Sequence, residues 1–300
     1  MDKRTQKMQW SNEMPTDILL SLLRGLRLVM HLFHGMLLAI IYPHLKPNRQ
    51  RNMLKLWSRQ LLNILNIGIQ IEGHQPVRGE GGCLMVSNHV SWLDVFVLNA
   101  IHPSQFIAKS EVSHWPIIGW LSRRSGTIFI ERAMRQDAAS VNLQVSARLR
   151  QGACIGLFPE GTTTDGKQVG HFHSALIQPA IDAGTRLCPI ALRYQNKGGA
   201  LSSAAAFTGE TTLLQSIWQI LRGPQLNALV VFTPALHAAN ENRRMLARTS
   251  QAAIAQTLQA MGSARPAVTQ RPSCAFAETM LSSRSTYALL VDPMLNQLSK

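Results

Sequence analysis

A histidine and an aspartate five residues apart, His89 and Asp94, form the pair in this sequence best suited to proton transfer. They lie in the stretch Asn-His-Val-Ser-Trp-Leu-Asp, directly after an apolar run that predicts a strand over residues 83–87. On a straight helix two such positions differ by about 140° in direction, so their side chains do not meet. A turn leading from strand to helix brings them together. The carboxylate then fixes the imidazole tautomer and leaves the second ring nitrogen as a general base.

Later blocks add groups that bind an anion. Arg132 follows the run Gly-Thr-Ile-Phe-Ile-Glu, and its planar guanidinium matches the geometry of a phosphate. The stretch Phe-Pro-Glu-Gly-Thr-Thr-Thr carries Glu160, and the amides and hydroxyl of Gly161 and Thr162 are suited to an anion cradle. Taken alone, each feature has a simpler explanation, a surface charge for Arg132 and an ordinary turn at Glu160. A fourth block, Cys-Pro-Ile-Ala-Leu, contains Pro189.

In this order, the four blocks resemble the glycerolipid acyltransferase family, the lysophosphatidic-acid-acyltransferase-like enzymes with NHxxxxD and FPEGT motifs. The resemblance covers about residues 84–195 and continues more weakly to 260. It implies an enzyme that moves a fatty acyl group from a thioester to the free hydroxyl of a lysophospholipid. The expected donor is acyl-CoA or acyl carrier protein, and no separate cofactor is expected. The expected acceptor is 1-acylglycerol-3-phosphate, which gives phosphatidic acid.

The resemblance also implies roles for individual residues, with His89 as the general base and Asp94 as the group that orients it. Arg132 is expected to hold the acceptor headgroup, and Pro189 to shape the acyl pocket. Two residues of the FPEGT block are expected to line the acceptor site, and a basic residue is common in the family at the position of Lys109. The expected substrate-binding residues are Lys109, Arg132, Glu160, Gly161, Thr162 and Pro189.

One departure from the family pattern bears on the acceptor. Phosphatidic-acid-forming members commonly read FPEGTRS, whereas Thr163 and Thr164 stand here in place of the Arg-Ser pair. Similar FPEGTT blocks occur among enzymes that acylate lyso-ornithine lipid, whose headgroup is zwitterionic. We therefore keep lyso-ornithine lipid as the alternative acceptor, and favour lysophosphatidate because Arg132 and Lys109 remain.

The elements that must position these residues follow an alternating pattern. Strands are predicted over residues 83–87, 105–109, 127–131, 154–158, 187–193 and 228–233. Helices are predicted over residues 136–150, 174–183, 211–221 and 243–261. Strands interleaved with helices indicate an α/β domain with a mostly parallel central sheet flanked by helices. We expect this acyltransferase domain to span residues 69–262, followed by a loosely ordered C-terminal tail over 263–300.

The first 68 residues have the composition of a membrane-associated segment. Residues 28–45 contain no charged side chain, but as a helix they extend only about 27 Å, short of the ~30 Å hydrocarbon core. Residues 52–68 predict a second, amphipathic helix, either in the headgroup plane or packed on a soluble core. We expect two helices that dip into one leaflet of the bacterial inner membrane. Five basic residues within 46–59 place the catalytic domain on the cytoplasmic side.

Composition narrows the class of protein. The net charge is +14 with only 15% charged residues and 46% hydrophobic residues, which favours an anionic membrane surface over a nucleic acid. The four cysteines are far apart in sequence, so we expect neither a disulfide framework nor a zinc site. His171 and His173 have no adjoining carboxylate or cysteine ligand, and no metal is expected there. The sequence contains no GxSxG elbow, the motif that would indicate a serine hydrolase. A non-catalytic membrane scaffold on the same fold remains the alternative of another class.

Overall fold

An eight-stranded sheet forms the centre of the molecule. The computed structural model describes residues 18–76, 81–130 and 135–263. The strands are β1 (Ile67–Gly73), β2 (Cys83–Ser87), β3 (Gln105–Lys109), β4 (Ile128–Ile130), β5 (Cys154–Leu157), β6 (Arg186–Gln195), β7 (Leu226–Phe232) and β8 (Leu236–His237). They lie in the order β1-β7-β6-β2-β5-β3-β4, with β8 paired to β6. Only the β6–β7 and β6–β8 pairs are antiparallel within the described ranges, which confirms the predicted mostly parallel sheet.

Helices cover both faces of this sheet. They are α1 (Ile18–Ile41), α2 (Pro47–Ile64), α3 (Asp94–Ile101), α4 (Ile118–Arg124), α5 (Arg135–Arg150), α6 (Gln178–Asp182), α7 (Leu213–Arg222) and α8 (Arg243–Ser263). Leucines and isoleucines of α1, α2, α3 and α7 join one buried apolar cluster. Apolar side chains of α5, α6 and α8 join a second cluster. The sheet is therefore buried on both sides, as the continuous apolar character of β2 requires.

The predicted strands match the observed ones to within about two residues, and four further elements were not predicted. These are β1, β8, α3 and α4. The second predicted helix, over 52–68, instead begins at Pro47 and ends at Ile64. Asn66 has a positive φ of 60°, which stops the helix, and β1 starts at Ile67. The strand Ile-Gly-Ile-Gln-Ile-Glu-Gly alternates apolar and polar residues, which is the ordinary signal of a half-buried strand.

The N-terminal helices differ from each other in how they bury their apolar residues. α1 extends for 24 residues, about 36 Å, because it begins ten residues before the charge-free stretch. Residues 18–44 form the one segment of the described chain that is long and apolar enough to cross a membrane, by length and composition. In α2, by contrast, Leu61 and Leu62 lie in the core beneath the sheet. The apolar side of α2 therefore follows the packed alternative rather than the headgroup-plane one.

The described residues up to Ser263 form one compact unit, which includes α1 and α2 together with the sheet. The predicted C-terminal tail lies outside the described residues. The predicted domain boundaries at residues 68 and 262 stay predictions.

Candidate active site

The candidate site lies at one edge of the parallel part of the sheet. Strands β2, β5, β3 and β4 are adjacent and parallel, so their carboxyl ends meet at the same edge. His89 follows β2, Phe158 follows β5, and Lys109 ends β3. Arg132, predicted to bind the acceptor headgroup, lies outside the described residues. Two of the four sequence blocks, together with Lys109, are thus placed at one edge by the topology alone.

The turn between β2 and α3 joins the predicted catalytic pair. His89 Nδ1 lies 2.8 Å from Asp94 Oδ2, within hydrogen-bond distance. Asp94 is the first residue of α3, where a carboxylate is favoured by the positive end of the helix dipole. The chain between the two residues curls as a turn, so the side chains meet although they are five positions apart.

Asp94 is completely buried and accepts hydrogen bonds at both of its oxygens. The backbone amides of Val90 and Ser91 donate to Oδ2 at 2.7 and 3.0 Å, and the Tyr194 hydroxyl donates to Oδ1 at 2.8 Å. These donors require an acceptor-only carboxylate, so the proton of the His89–Asp94 contact lies on Nδ1 of the ring. Burial and the Asp94 charge hold the pKa of the Tyr194 hydroxyl well above its ordinary value of 10.0, so this donor keeps its proton.

The other side of the His89 ring is fixed by packing. The ring stacks on Phe158 with centroids 4.0 Å apart and planes 9° from parallel, and Phe158 in turn stacks on Phe106. The His89 side chain remains 19% exposed. With Nδ1 held by Asp94, the nitrogen left for a substrate proton is Nε2. The arrangement is that of a general base with a fixed tautomer and a fixed ring plane.

Glu160 connects the FPEGT block to the catalytic turn through the backbone. Its Oε1 accepts from the His89 amide and its Oε2 from the Gly170 amide, both at 3.0 Å. A Cβ at Gly170 would lie 2.6 Å from Oε2, so a larger residue there would require the Glu160 carboxylate to shift from this amide. Burial raises the pKa of Glu160, opposed by the two amide hydrogen bonds. In this position Glu160 holds the loop around His89, and its predicted contact with the acceptor stays a prediction.

The threonines after Glu160 hold the same loop. Thr164 donates to the His89 carbonyl from its amide at 2.8 Å and from its hydroxyl at 3.2 Å. The Thr163 hydroxyl donates to the Phe207 carbonyl, and the Phe207 amide donates to the Val90 carbonyl at 2.9 Å. Thr163, at the position of arginine in the FPEGTRS pattern described above, therefore links the FPEGT block to a segment that rests on the catalytic turn.

The remaining predicted residues differ in exposure. Gly161 adopts a positive φ of 74°, and its amide donates to the Phe158 carbonyl at 3.1 Å, so it forms the turn of the block. Thr162 and Lys109 are exposed at this edge. Pro189 is buried within β6 and pairs with Val86 of β2, and its carbonyl accepts from Thr233.

Three side chains of the site were not singled out from the sequence. Phe158 belongs to the FPEGT motif, but the motif alone does not indicate that its ring packs on His89. Tyr194 lies on β6, a hundred residues from Asp94, and its sequence neighbours carry no signal of that contact. Asn88, which exchanges two 2.8 Å hydrogen bonds with the Leu192 backbone, fixes β6 beside the turn.

Comparison with known proteins identifies the family of this chain. The family described as Acyltransferase matches residues 68–193. The lyso-ornithine lipid O-acyltransferase of Pseudomonas aeruginosa is 34% identical over 75% of this chain and 84% of that protein. The 1-acyl-sn-glycerol-3-phosphate acyltransferase of Neisseria meningitidis is 35% identical over 66% of this chain and 76% of that protein. A crystal structure of the 1-acyl-sn-glycerophosphate acyltransferase from Thermotoga maritima, at 16% identity, shares the fold with a TM-score of 0.56 over 80% of this chain and 98% of that one. The chain belongs to the glycerolipid acyltransferase family.

Proposed function

We propose that this protein transfers a fatty acyl group from an acyl thioester to the free hydroxyl of 1-acylglycerol-3-phosphate and so forms phosphatidic acid. The observation that carries the proposal is the buried Asp94 bound to Nδ1 of a partly exposed His89 at the carboxyl edge of the sheet. A non-catalytic scaffold has no use for a carboxylate held by three further donors directly behind an imidazole.

The chemistry needs one base and a good leaving group. Nε2 of His89 takes the proton of the acceptor hydroxyl, and the oxygen attacks the thioester carbonyl carbon. The new C–O bond forms, the C–S bond breaks, and the proton passes from the imidazolium to the departing thiolate. A thiol has a pKa of about 8.5, so the thiolate leaves without strong acid assistance. Asp94 stabilises the imidazolium that forms between the two transfers.

Lyso-ornithine lipid is the second candidate acceptor, and a specific observation favours it. Thr163 replaces the arginine of many phosphatidate-forming relatives, and its hydroxyl is engaged with the Phe207 carbonyl. One positive charge near the acceptor headgroup is therefore lacking, which suits a zwitterionic headgroup better than a phosphate monoester. The Pseudomonas aeruginosa relative with this activity covers three quarters of the chain. We keep lysophosphatidate first because Lys109 and Arg132 supply positive charge.

Parallel kinetics on two acceptors test this proposal. The purified full chain is given labelled acyl-CoA, or acyl carrier protein charged with the same chain, and either lysophosphatidate or lyso-ornithine lipid in detergent micelles. We expect a higher kcat/KM with lysophosphatidate, and a kcat about 10²–10⁴-fold lower in His89→Ala. Acylation of lyso-ornithine lipid alone would overturn the acceptor and keep the reaction. No transfer to any lysolipid would overturn the enzyme assignment.

We propose that the enzyme works at a membrane surface, with the catalytic domain on the cytoplasmic side. Both substrates of the reaction carry acyl chains, and the donors are acidic, in keeping with the +14 net charge. Flotation of the full chain with vesicles tests the contact with a membrane surface. We expect recovery with anionic phosphatidylglycerol vesicles at low salt, and protein left at the bottom of the gradient would contradict it.

A further inference from the structure

α1 carries an unusually large exposed apolar surface for a helix that also packs on the protein. The exposed members are Ile18, Leu19, Leu20, Leu22, Leu23, Leu26, Val29, Met30, Phe33, Leu37, Ile40 and Ile41. Contiguous exposed apolar surface of this extent marks a protein or membrane contact. The opposite side of α1 is occupied, because Ser21, Leu28 and His31 are buried against the domain. We call these twelve exposed residues the α1 surface.

Two other helices that contact α1 also expose apolar side chains in or just before them. α7 lies against it, with Arg24 donating to the Leu221 carbonyl at 3.3 Å. Two side chains of α7 one turn apart, Leu214 and Trp218, are 78% and 41% exposed. α4 also packs on α1 and is preceded by the exposed Trp115 and Ile117.

The conformation before α4 is unusual for its residue. Ile117 has φ 63° and ψ −59°, and the Ile118 amide bonds to the Pro116 carbonyl at 2.6 Å, which together form a tight γ-turn. A β-branched residue is strained in this region, and the side chain so presented is 45% exposed. Strain that holds an apolar side chain in solvent indicates a contact made outside the chain.

Charge on these segments has one sign. Residues 18–41, 115–124 and 213–222 contain five arginines and no aspartate or glutamate. Arg124 lies over the Trp120 ring at 5.5 Å and Arg222 over the Trp218 ring at 5.8 Å. Tryptophan beside arginine is the composition of a headgroup layer, where the ring meets acyl chains and the cation meets lipid phosphate. The partner that fits is a bilayer with anionic lipid.

We propose that the bilayer contact extends from the α1 surface across α4 and α7, and is not confined to the N-terminal helix. This proposal rests on the membrane placement proposed above. α7 then connects the bilayer to the site, because the indole N–H of Trp92, within the catalytic turn, donates to the Ser216 hydroxyl at 3.1 Å. Leu214 and Trp218 face outward from the same helix whose Ser216 and Ile220 are buried. The catalytic turn is thus held one helix away from the lipid that supplies the acceptor.

Two leucines in comparable settings give a matched test. Leu214 of α7 and Leu143 of α5 are 78% and 72% exposed, and α5 covers the other face of the sheet. The variants Leu214→Trp and Leu143→Trp are bound, as full chains, to vesicles of phosphatidylcholine and phosphatidylglycerol brominated along the acyl chains. We expect the emission gained in Leu214→Trp to be strongly quenched, and that gained in Leu143→Trp to be unaffected. Equal quenching at both sites, or none at Leu214→Trp, would overturn the proposal.

A second measurement tests the charges and does not depend on a new side chain inserting. Arg222→Gln and Arg124→Gln should each weaken binding to phosphatidylglycerol vesicles about fivefold, since one basic residue near an anionic surface contributes about that factor. Arg244→Gln on α8 is the control and should leave it within twofold. An equal loss in all three variants would mean a non-specific effect of net charge and would contradict the proposal. Both of these measurements report binding to vesicles, whereas acyl transfer in micelles reports the proposed reaction alone. Failure of the membrane proposal can therefore be told apart from failure of the proposed reaction.

Discussion

His89 and the pair formed by His171 and His173 present the same imidazole side chain in two settings. His89 has a buried carboxylate 2.8 Å from Nδ1 and a phenyl ring stacked 4.0 Å away. The rings of His171 and His173 lie 5.5 Å apart, nearly perpendicular, and both are exposed. Among the described residues, no carboxylate is hydrogen bonded to either ring. Both regions are joined by one side chain, since Glu160 accepts from the amides of His89 and Gly170. On the proposed mechanism, orientation by buried partners, and not the presence of a histidine alone, makes a side chain a general base.

The largest expected effect comes from removing the oriented ring. His89→Ala should lower kcat by about 10²–10⁴-fold, because it removes the group proposed to take the hydroxyl proton. Steady-state acyl transfer in micelles measures the change, with circular dichroism to confirm folding. Substantial activity in a folded His89→Ala protein would remove the basis for separating the two histidine regions.

Asp94→Asn should come next. The amide has the size of the carboxylate, but its N–H₂ group faces hydrogen-bond donors that the carboxylate accepts from. The His89 ring therefore loses its fixed tautomer, and the imidazolium loses its negatively charged partner. We expect a loss of about 10²–10⁴-fold in kcat with a smaller change in KM. Asp182→Asn, at an exposed aspartate of α6, is the control. Equal effects of the two substitutions would argue against a special role for Asp94.

A smaller loss is expected for Tyr194→Phe, which acts through Asp94. A hydrogen bond to a charged group contributes about 1.5–3 kcal/mol, so kcat/KM should fall by about 10–150-fold. If Tyr194 positions the carboxylate, the loss should nearly vanish in the background of Asp94→Asn, because the two changes share one interaction. Additive losses in this double-mutant cycle would assign Tyr194 a merely structural role. Tyr42→Phe serves as the tyrosine control.

Glu160→Gln tests the residue that joins the two regions. The glutamine oxygen can accept a hydrogen bond from one of the two backbone amides, but its N–H₂ group faces the other amide and cannot accept from it. The free energy of unfolding should therefore fall by about 1–3 kcal/mol at neutral pH. Because burial raises the folded pKa of Glu160, the folded wild type binds a proton at higher pH than the unfolded chain. Its stability relative to Glu160→Gln should therefore rise as pH falls from the raised pKa toward 4.5. Urea unfolding of both proteins at several pH values measures this difference, and a constant difference would contradict it.

The smallest effect is expected at the second histidine region. His171→Ala and His173→Ala should each leave kcat/KM within about twofold, because surface substitutions away from a site rarely cost more than about 0.5 kcal/mol. The micelle assay used for His89→Ala applies unchanged. A loss of the size expected for His89→Ala would show that the distinction between the regions is wrong.

The contact between His89 and Asp94 was predictable from sequence because both residues lie in the same short turn. His89 and Asp94 are five residues apart after a recognisable strand, and the structure brings them to 2.8 Å. Tyr194 was not predictable, since its contact with Asp94 depends on β6 lying beside β2 in the sheet order. Lateral strand order is set by tertiary packing, which a single sequence does not display.

The same contrast applies to the fold. Strand β1 has the alternating pattern of a half-buried strand, but the helix predicted over residues 52–68 extended into it. The end of α2 was not recognised because the residue in the left-handed conformation there is Asn66 and not a glycine. In α2, amphipathic periodicity predicted an apolar face correctly. It did not distinguish a bilayer from a sheet as the surface that buries Leu61 and Leu62, because both are apolar.

In the proposed mechanism, His89 removes a proton from the acceptor hydroxyl and does not itself accept the acyl group. Rapid mixing of the enzyme with acyl-CoA, with and without lysolipid, tests it most directly by following free thiol. We predict no stoichiometric burst of thiol without lysolipid, and rapid thiol release once the acceptor is present. A burst equal to the enzyme concentration in the absence of acceptor, with the acyl group found on His89 by mass spectrometry, would contradict the account.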